Sequence, residues 1–296
     1  MLLSTTTDVL SEHFGMKKTV DILSKAGYDA ADFSAFKEEF YGDAHDRDFY
    51  IEMRKYAEDK GLVFNQAHAP LRTSDIDAVK SEKIFKDVVN ALKNASYLGA
   101  KIIVVHPNRH INYAKRENRE AVFESNMEFY SRLIPYCEEF EIKVALENLW
   151  LYPQNEWYLK NGWGKIDYSV CGHPEEFVRY VDSLNNDCLV ACLDIGHAML
   201  VNEDAADFIK ILGNKRLKAL LVHDVDGFVD SHTLPFFGIT DWDSVTKALA
   251  QIDYKGDITY EADGFLKHKP LELYPEYINL MVKTGRFLID KVKKYS

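Results

Sequence analysis

The sequence predicts a single α/β domain spanning residues 1–296, a (β/α)8 barrel. Two observations lead there. Short apolar runs alternate with amphipathic stretches at intervals of roughly 30–45 residues, and the apolar runs number eight. No Pro-, Ser- or Gly-rich linker, low-complexity tract or long charge block divides the 296 residues, a length that one such barrel fills.

The eight strand candidates, in order, are LLSTT (2–6), AADFS (30–34), LVFNQAH (62–68), KIIVVH (101–106), KVALEN (143–148), LVACLD (189–194), LKALLVH (217–223) and DITYEA (257–262). Several are continuous apolar runs rather than strict alternations, the mark of parallel strands covered by helices. Between them, AVKSEKIFKDVVNALKNASYLGA places Val79, Ile84, Val88, Leu92 and Leu98 on one helical side and stops at Gly99. REAVFESNMEFYSRLIPYCEEF and EYINLMVKTGRFLIDKVKK carry the same periodicity. A doubly wound open sheet is the rival fold. No GxGxxG or GxxxxGK[ST] loop follows an early strand, which counts against it.

Composition narrows the function. A formal charge of −11 argues against a nucleic-acid partner, since phosphate neutralisation needs a basic face. Cys137, Cys171, Cys188 and Cys192 form no CxxC or disulfide-like spacing, so reduced thiols in a cytoplasmic protein are expected. MLLSTTTDVL has neither the basic start nor the apolar stretch of a signal peptide, and no window approaches a membrane span.

The chemistry sits at the strand ends. The last positions of strands three to eight are His68, His106, Glu147, Asp194, His223 and Glu261. A lone histidine or aspartate there is an ordinary cap or core residue; six in succession are not. In a barrel these ends converge on one mouth. Counting back by two from four of them gives Val104, Ala145, Cys192 and Leu221, residues that can fill a barrel interior. Clustered carboxylates repel unless a cation sits among them. A divalent metal bound by Glu147, Asp194, His223 and Glu261 resolves this, with Mn²⁺, Zn²⁺, Co²⁺ or Fe²⁺ suiting mixed oxygen and nitrogen ligands better than Mg²⁺. The competing reading is a hydrogen-bonded carboxylate–histidine network without an ion.

Five more residues are candidates for additional metal or substrate contacts. Asp230 and His232 share a face of any extended segment and could join His197 around a further ion. His68 and His106 could hold another, bridged by Glu147. A basic stretch after strand four (Arg109, His110, Lys115, Arg116, Arg119) could meet a substrate phosphate or be a solvated helix start.

HAP (68–70), HP (106–107), ALEN (145–148), LDIGHA (193–198), VHD (222–224), DSH (230–232), DW (241–242) and YEAD (260–263) occur in this order across nearly the whole chain. In that order they resemble the xylose isomerase-like TIM-barrel superfamily, which includes sugar isomerases and epimerases, inosose and 3-dehydroshikimate dehydratases, and AP endonucleases of the endonuclease IV type. The epimerase branch implies one metal on Glu147, Asp194, His223 and Glu261, with the two glutamates as acid–base pair and His197 touching substrate. The endonuclease branch implies a trinuclear zinc set that also takes in His68, His106, His197, Asp230 and His232. The aromatic segment LWLYPQNEWYLKNGWGKIDYSVCGHP after Glu147 looks more like a lid over a sugar than a DNA-wedging loop.

The expected activity is therefore metal-dependent isomerisation or epimerisation of a sugar or sugar phosphate, by proton abstraction through an enediolate that the metal stabilises. Mn²⁺ or Zn²⁺ is the expected ion: one, or as many as three. Alternatives on the same site are a dehydratase and a multi-zinc phosphodiesterase. The expected partner is a small sugar, with no nucleic acid and no membrane, for a monomer or homo-oligomer.

Overall fold

A computed structural model describes residues 1–75, 77–108, 116–150 and 169–296. Within them the eight expected strands form as β1 (Leu3–Thr5), β2 (Ala30–Ser34), β3 (Val63–His68), β4 (Ile102–Val105), β5 (Lys143–Glu147), β6 (Leu189–Asp194), β7 (Leu217–Leu221) and β8 (Ile258–Tyr260). Strands β2 to β7 make one six-stranded sheet in sequence order, and β1 pairs with β8. Every pairing is parallel. Single parallel bridges, Thr6 to Asp32 and Val222 to Tyr260, join the two sheets and close the ring. The architecture is the expected TIM barrel.

Alternation along each strand sorts the core into two parts. Val144 and Leu146 of β5, and Ala191 and Leu193 of β6, enter the large apolar layer between strands and helices. Val104, Ala145, Val190, Cys192, Ala219 and Leu221 form a separate apolar cluster inside the barrel. Its members on β4 to β7 include the four residues counted back from the strand ends. The β1–β3 side of the interior is polar instead: Ser4, Asp32 and Gln66 are buried there, and Gln66 Nε2 donates to Asp32 Oδ2 at 2.7 Å. All four cysteines are free thiols, and Cys192 lies in the inner cluster.

The covering helices follow their sequence signals. The helix Ala78–Leu98 starts where the Asp77 carboxylate accepts the Val79 and Lys80 N–H groups, and stops where Gly99 turns left-handed at φ 96°. Its buried face runs through Phe85, Val88, Leu92 and Leu98. Val79 departs from the expected stripe: it is 81% exposed, in a first turn where residues 77–80 all face solvent. The helix Tyr274–Tyr295 closes the ring, with Gly285 packed on Leu3. Among the described residues no helix is long and apolar enough to cross a membrane.

Candidate active site

β4, β7 and β8 stop one or two residues short of His106, His223 and Glu261, but the inward alternation continues through them. The mouth therefore receives His68, His106, Glu147, Asp194, His223 and Glu261 from six successive strands. All nine residues expected from the sequence are described; six of them (His106, Glu147, His197, Asp230, His232 and Glu261) line a cavity of about 270 Å³. Arg109, His110 and Lys115 lie outside the described residues, as does 151–168 of the aromatic segment. Arg119 pairs with the buried Glu176 at 3.2 Å.

The turn after β6 is built for its two polar residues. Asp194 caps the helix Ile195–Leu200, its Oδ1 accepting the His197 N–H at 2.6 Å. Asn148 stitches β5 to β6: its Nδ2 donates to Asp194 O at 2.9 Å, and its Oδ1 accepts the Asp194 N–H at 2.7 Å.

Glu147 stands at the centre. His68 Nε2 and His106 Nε2 approach its Oε2 at 3.2 and 3.1 Å, and His197 Nδ1 approaches Oε1 at 3.1 Å. Burial alone would raise this carboxyl, but the three imidazoles, His106 foremost, hold it well below the usual carboxylate range. Glu261 is half-buried as a residue, with its Oε2 buried, and moves the other way. Burial pushes it well above that range, the nearby charge of Glu147 adds to this, and His232 offsets them only in part. Burial opposes protonation of His68, yet Glu147 lifts it to about 9. His197 and His232 are raised well above the ordinary histidine value against their burial, and Asp230, between them, is held low by both.

Hydrogen accounting shows what this donor set suits. His68 Nδ1 lies 2.8 Å from Ala69 O, His197 Nδ1 2.9 Å from Asn148 O, and His232 Nδ1 2.8 Å from Glu261 O. A carbonyl accepts only from N–H, so in the neutral ring each Nε2 presents a lone pair. Those Nε2 atoms face Glu147 Oε2 at 3.2 Å, Asp230 Oδ2 at 3.4 Å and Asp230 Oδ2 at 3.0 Å. Acceptor facing acceptor is tolerable only with an extra proton or a cation between them. An Nδ1–H anchored on a main-chain carbonyl is also how metal-binding histidines are oriented. In addition, Glu147 Oε1, Asp230 Oδ1, Glu261 Oε2 and His223 Nδ1 are buried without a hydrogen-bond partner among the described residues. The residues fit a divalent ion.

Ligand-capable atoms fall within 4.8 Å of one another in three groups: His68, His106 and Glu147; Glu147, Asp194 and His197; and His197, His223, Asp230 and His232. Glu147 and His197 are shared. The set Glu147, Asp194, His223 and Glu261 is not drawn into one such group. His223 Nε2 sits against both Asp194 oxygens at 2.9 and 3.0 Å, while Glu261 lies outside the three groups.

Several lining residues were not singled out as site residues from the sequence. Asp8, Asp263 and Lys267 make a charged cavity wall, with Lys267 paired to Asp263 and Asp263 Oδ1 2.9 Å from His232 Nδ1. Phe36, Leu71 and Trp150 make an apolar one. Asn148, Trp150 and Asp263 had a readable signal, lying in ALEN, in the aromatic segment after Glu147 and in YEAD; Asp8, Phe36, Leu71 and Lys267 sit where spacing carries none.

Fold and mouth together define a (β/α)8-barrel protein with a buried carboxylate–histidine centre. The chain belongs to the xylose isomerase-like TIM barrel family, whose model matches residues 20–283. It is 26% identical over 260 residues to D-psicose 3-epimerase of Enterocloster bolteae, covering 83% of this chain and 76% of that protein. It is 27% identical over 207 residues to an uncharacterized protein of Sinorhizobium fredii; the match takes in 70% of this chain and only 58% of that relative's length. Among solved structures, the IolI protein with a bound zinc atom superposes with a TM-score of 0.73 at 20% identity, over 100% of this chain and 99% of that one.

Proposed function

We propose that this chain is a divalent-metal-dependent isomerase or epimerase of a sugar, acting at a carbon next to the carbonyl. The observation that carries the reading is the pair Glu147 and Glu261: two carboxyl groups that line one cavity from different strand ends, each with an oxygen buried and without a hydrogen-bond partner among the described residues. Two carboxyl groups facing one cavity can share proton removal and proton return. The likeness to D-psicose 3-epimerase supports the sugar class.

Glu147, Asp194, His223 and Glu261 would hold the ion, with His68, His106, His197, Asp230 and His232 as further ligands or substrate contacts. When bound, Mn²⁺ or Zn²⁺ would polarise the sugar carbonyl and ease loss of the adjacent C–H proton. Glu147, kept ionised by its three histidines, takes a proton. Glu261 gives one back from another strand end, and the roles reverse for the back reaction. The apolar wall of Phe36, Leu71 and Trp150 limits water at the reacting carbon, while Asp8, Asp263 and Lys267 receive sugar hydroxyls.

The test is a ketose panel including D-psicose, D-fructose and D-tagatose in deuterated water with Mn²⁺ or Zn²⁺. Deuterium should appear at a carbon beside the carbonyl, together with the epimer or isomer. Loss of water in the product would reassign the chain to the dehydratase reading. No exchange with any ketose would overturn the proposal.

One observation favours a second reading. The three ligand groups sharing Glu147 and His197 have room for several ions, as multi-zinc phosphodiester hydrolysis needs. The charge of −11 weighs against a nucleic-acid substrate. Three zinc ions per chain with cleavage of an abasic duplex would favour it.

A further inference from the structure

After β7 the chain runs through residues 225–241 before the helix Trp242–Gln251 begins, and this loop carries Asp230 and His232. Apolar burial does little to hold it. Between 226 and 239 only Leu234 and Pro235 are buried, whereas Phe228 is 80% exposed and Val229, Phe236, Phe237 and Ile239 also face solvent. The loop is nevertheless wound tightly enough to place His232 and Phe236 in the left-handed region, at φ 43° and 76°. Such conformations persist only where the surroundings over-determine them.

His232 is tied to the β8 side, its O accepting Phe265 N–H at 3.1 Å and its Nδ1 lying 2.8 Å from Glu261 O, and the rest of the loop gathers on one side chain. Asp224 is fully buried. Its Oδ1 accepts the N–H groups of Val225 and Thr240 at 3.0 and 3.1 Å. Its Oδ2 accepts Phe236 N–H at 3.0 Å and the Trp242 indole N–H at 2.8 Å. Its own main chain pairs with Thr233 in both directions, at 2.8 and 3.0 Å. One residue thus ties the loop at its start, middle and end, through bonds strengthened by the carboxylate charge. Gly238 is part of the fit: a Cβ there would meet Asp224 Oδ1 at 2.3 Å and Val225 O at 2.2 Å. With four donors on two oxygens, Asp224 has no capacity left for a ligand.

We propose that Asp224, clamped by Trp242 and closed over by Gly238, is the positioning residue that sets Asp230 and His232 in the mouth. What those two residues do there rests on the functional reading above; the clamp itself does not.

The test compares wild type, Asp224→Asn and Trp242→Phe by hydrogen exchange of residues 225–241, by Zn²⁺ affinity against a competing chelator, and by exchange of the His232 imidazole N–H. In Asp224→Asn the amide NH2 would face two donors in either orientation, Val225 and Thr240 or Phe236 and Trp242. Loop exchange should quicken, the His232 Nδ1–H should lose protection, and Zn²⁺ affinity should fall about 10–100-fold. Trp242→Phe removes one donor while keeping an aromatic ring, and should give a smaller loss of the same sign. It carries the test if Asp224→Asn does not fold. Wild-type loop exchange in the variants, or a loosened loop with His232 protection and Zn²⁺ affinity intact, overturns the proposal. A wild-type protein that takes up no Zn²⁺ overturns the functional reading alone, and the clamp is then judged on the loop and on His232.

Discussion

Gly196 lies directly against the imidazole of His223: a Cβ at position 196 would come within 2.0 Å of Cε1 and 2.5 Å of Nδ1. The helix after β6 can pass this close to the β7 histidine only because residue 196 has no side chain. Gly196→Ala should therefore displace His223 from the Asp194 oxygens without disturbing the helical backbone. Turnover should fall about 100-fold, the scale of an ångström-sized misplacement. Circular dichroism should be unchanged. Activity near wild type would mean that the ring position is immaterial.

The two glutamates should respond differently to amide substitution. Glu261→Gln replaces a carboxyl that burial already favours as neutral, so the metal-free protein should melt near the wild-type temperature while solvent exchange into substrate is lost. Glu147→Gln removes the counter-charge of three imidazoles and should cost about 3–5 kcal/mol in urea denaturation of the same metal-free protein. Equal stability of the two variants would contradict the opposite environments assigned to them.

The pH dependence of the metal-free protein follows from His68, which Glu147 raises to about 9 from an ordinary value near 6.5. A raised folded-state value favours the folded protein fully below the unfolded value. That contribution is lost as pH climbs through the folded one. The stability difference between wild type and His68→Asn should thus be largest near pH 6 and shrink by pH 9.5. A difference independent of pH would remove the imidazolium from the account.

Chelation should lower the melting temperature, and Zn²⁺ or Mn²⁺ should restore it, since an ion that binds only the folded state stabilises it by about 4 kcal/mol at a thousand times its Kd. Elemental analysis of the reloaded protein counts the ions. No uptake and no shift would leave a hydrogen-bonded network without metal.

Away from the mouth, Gly285 on the helix Tyr274–Tyr295 meets Leu3 of β1, where a Cβ would sit 2.3 Å from Leu3 Cδ1. Gly285→Ala should destabilise by about 1–3 kcal/mol through overpacking while leaving the turnover of the folded protein unchanged. A neutral effect on the melting curve would show that Leu3 has room to move.

The sequence alone determined the eight strands and the parity that turns His68, His106, Glu147, Asp194, His223 and Glu261 inward, because alternation is a local property of an extended chain. It also marked Asp230, His232 and His197 as members of the same mouth. Only the tertiary structure decided how these side chains group: which histidines surround Glu147, that Glu261 is left outside the tight clusters, and why Glu147 and Glu261 shift in opposite directions. It likewise showed Gly196 beneath His223 and Asp224 at the centre of its loop. Neither contact has a sequence period to betray it. A void for a ring or four converging N–H groups exists only once distant segments have been brought together, and burial, which sets the charge state of each group, has no value along a single strand.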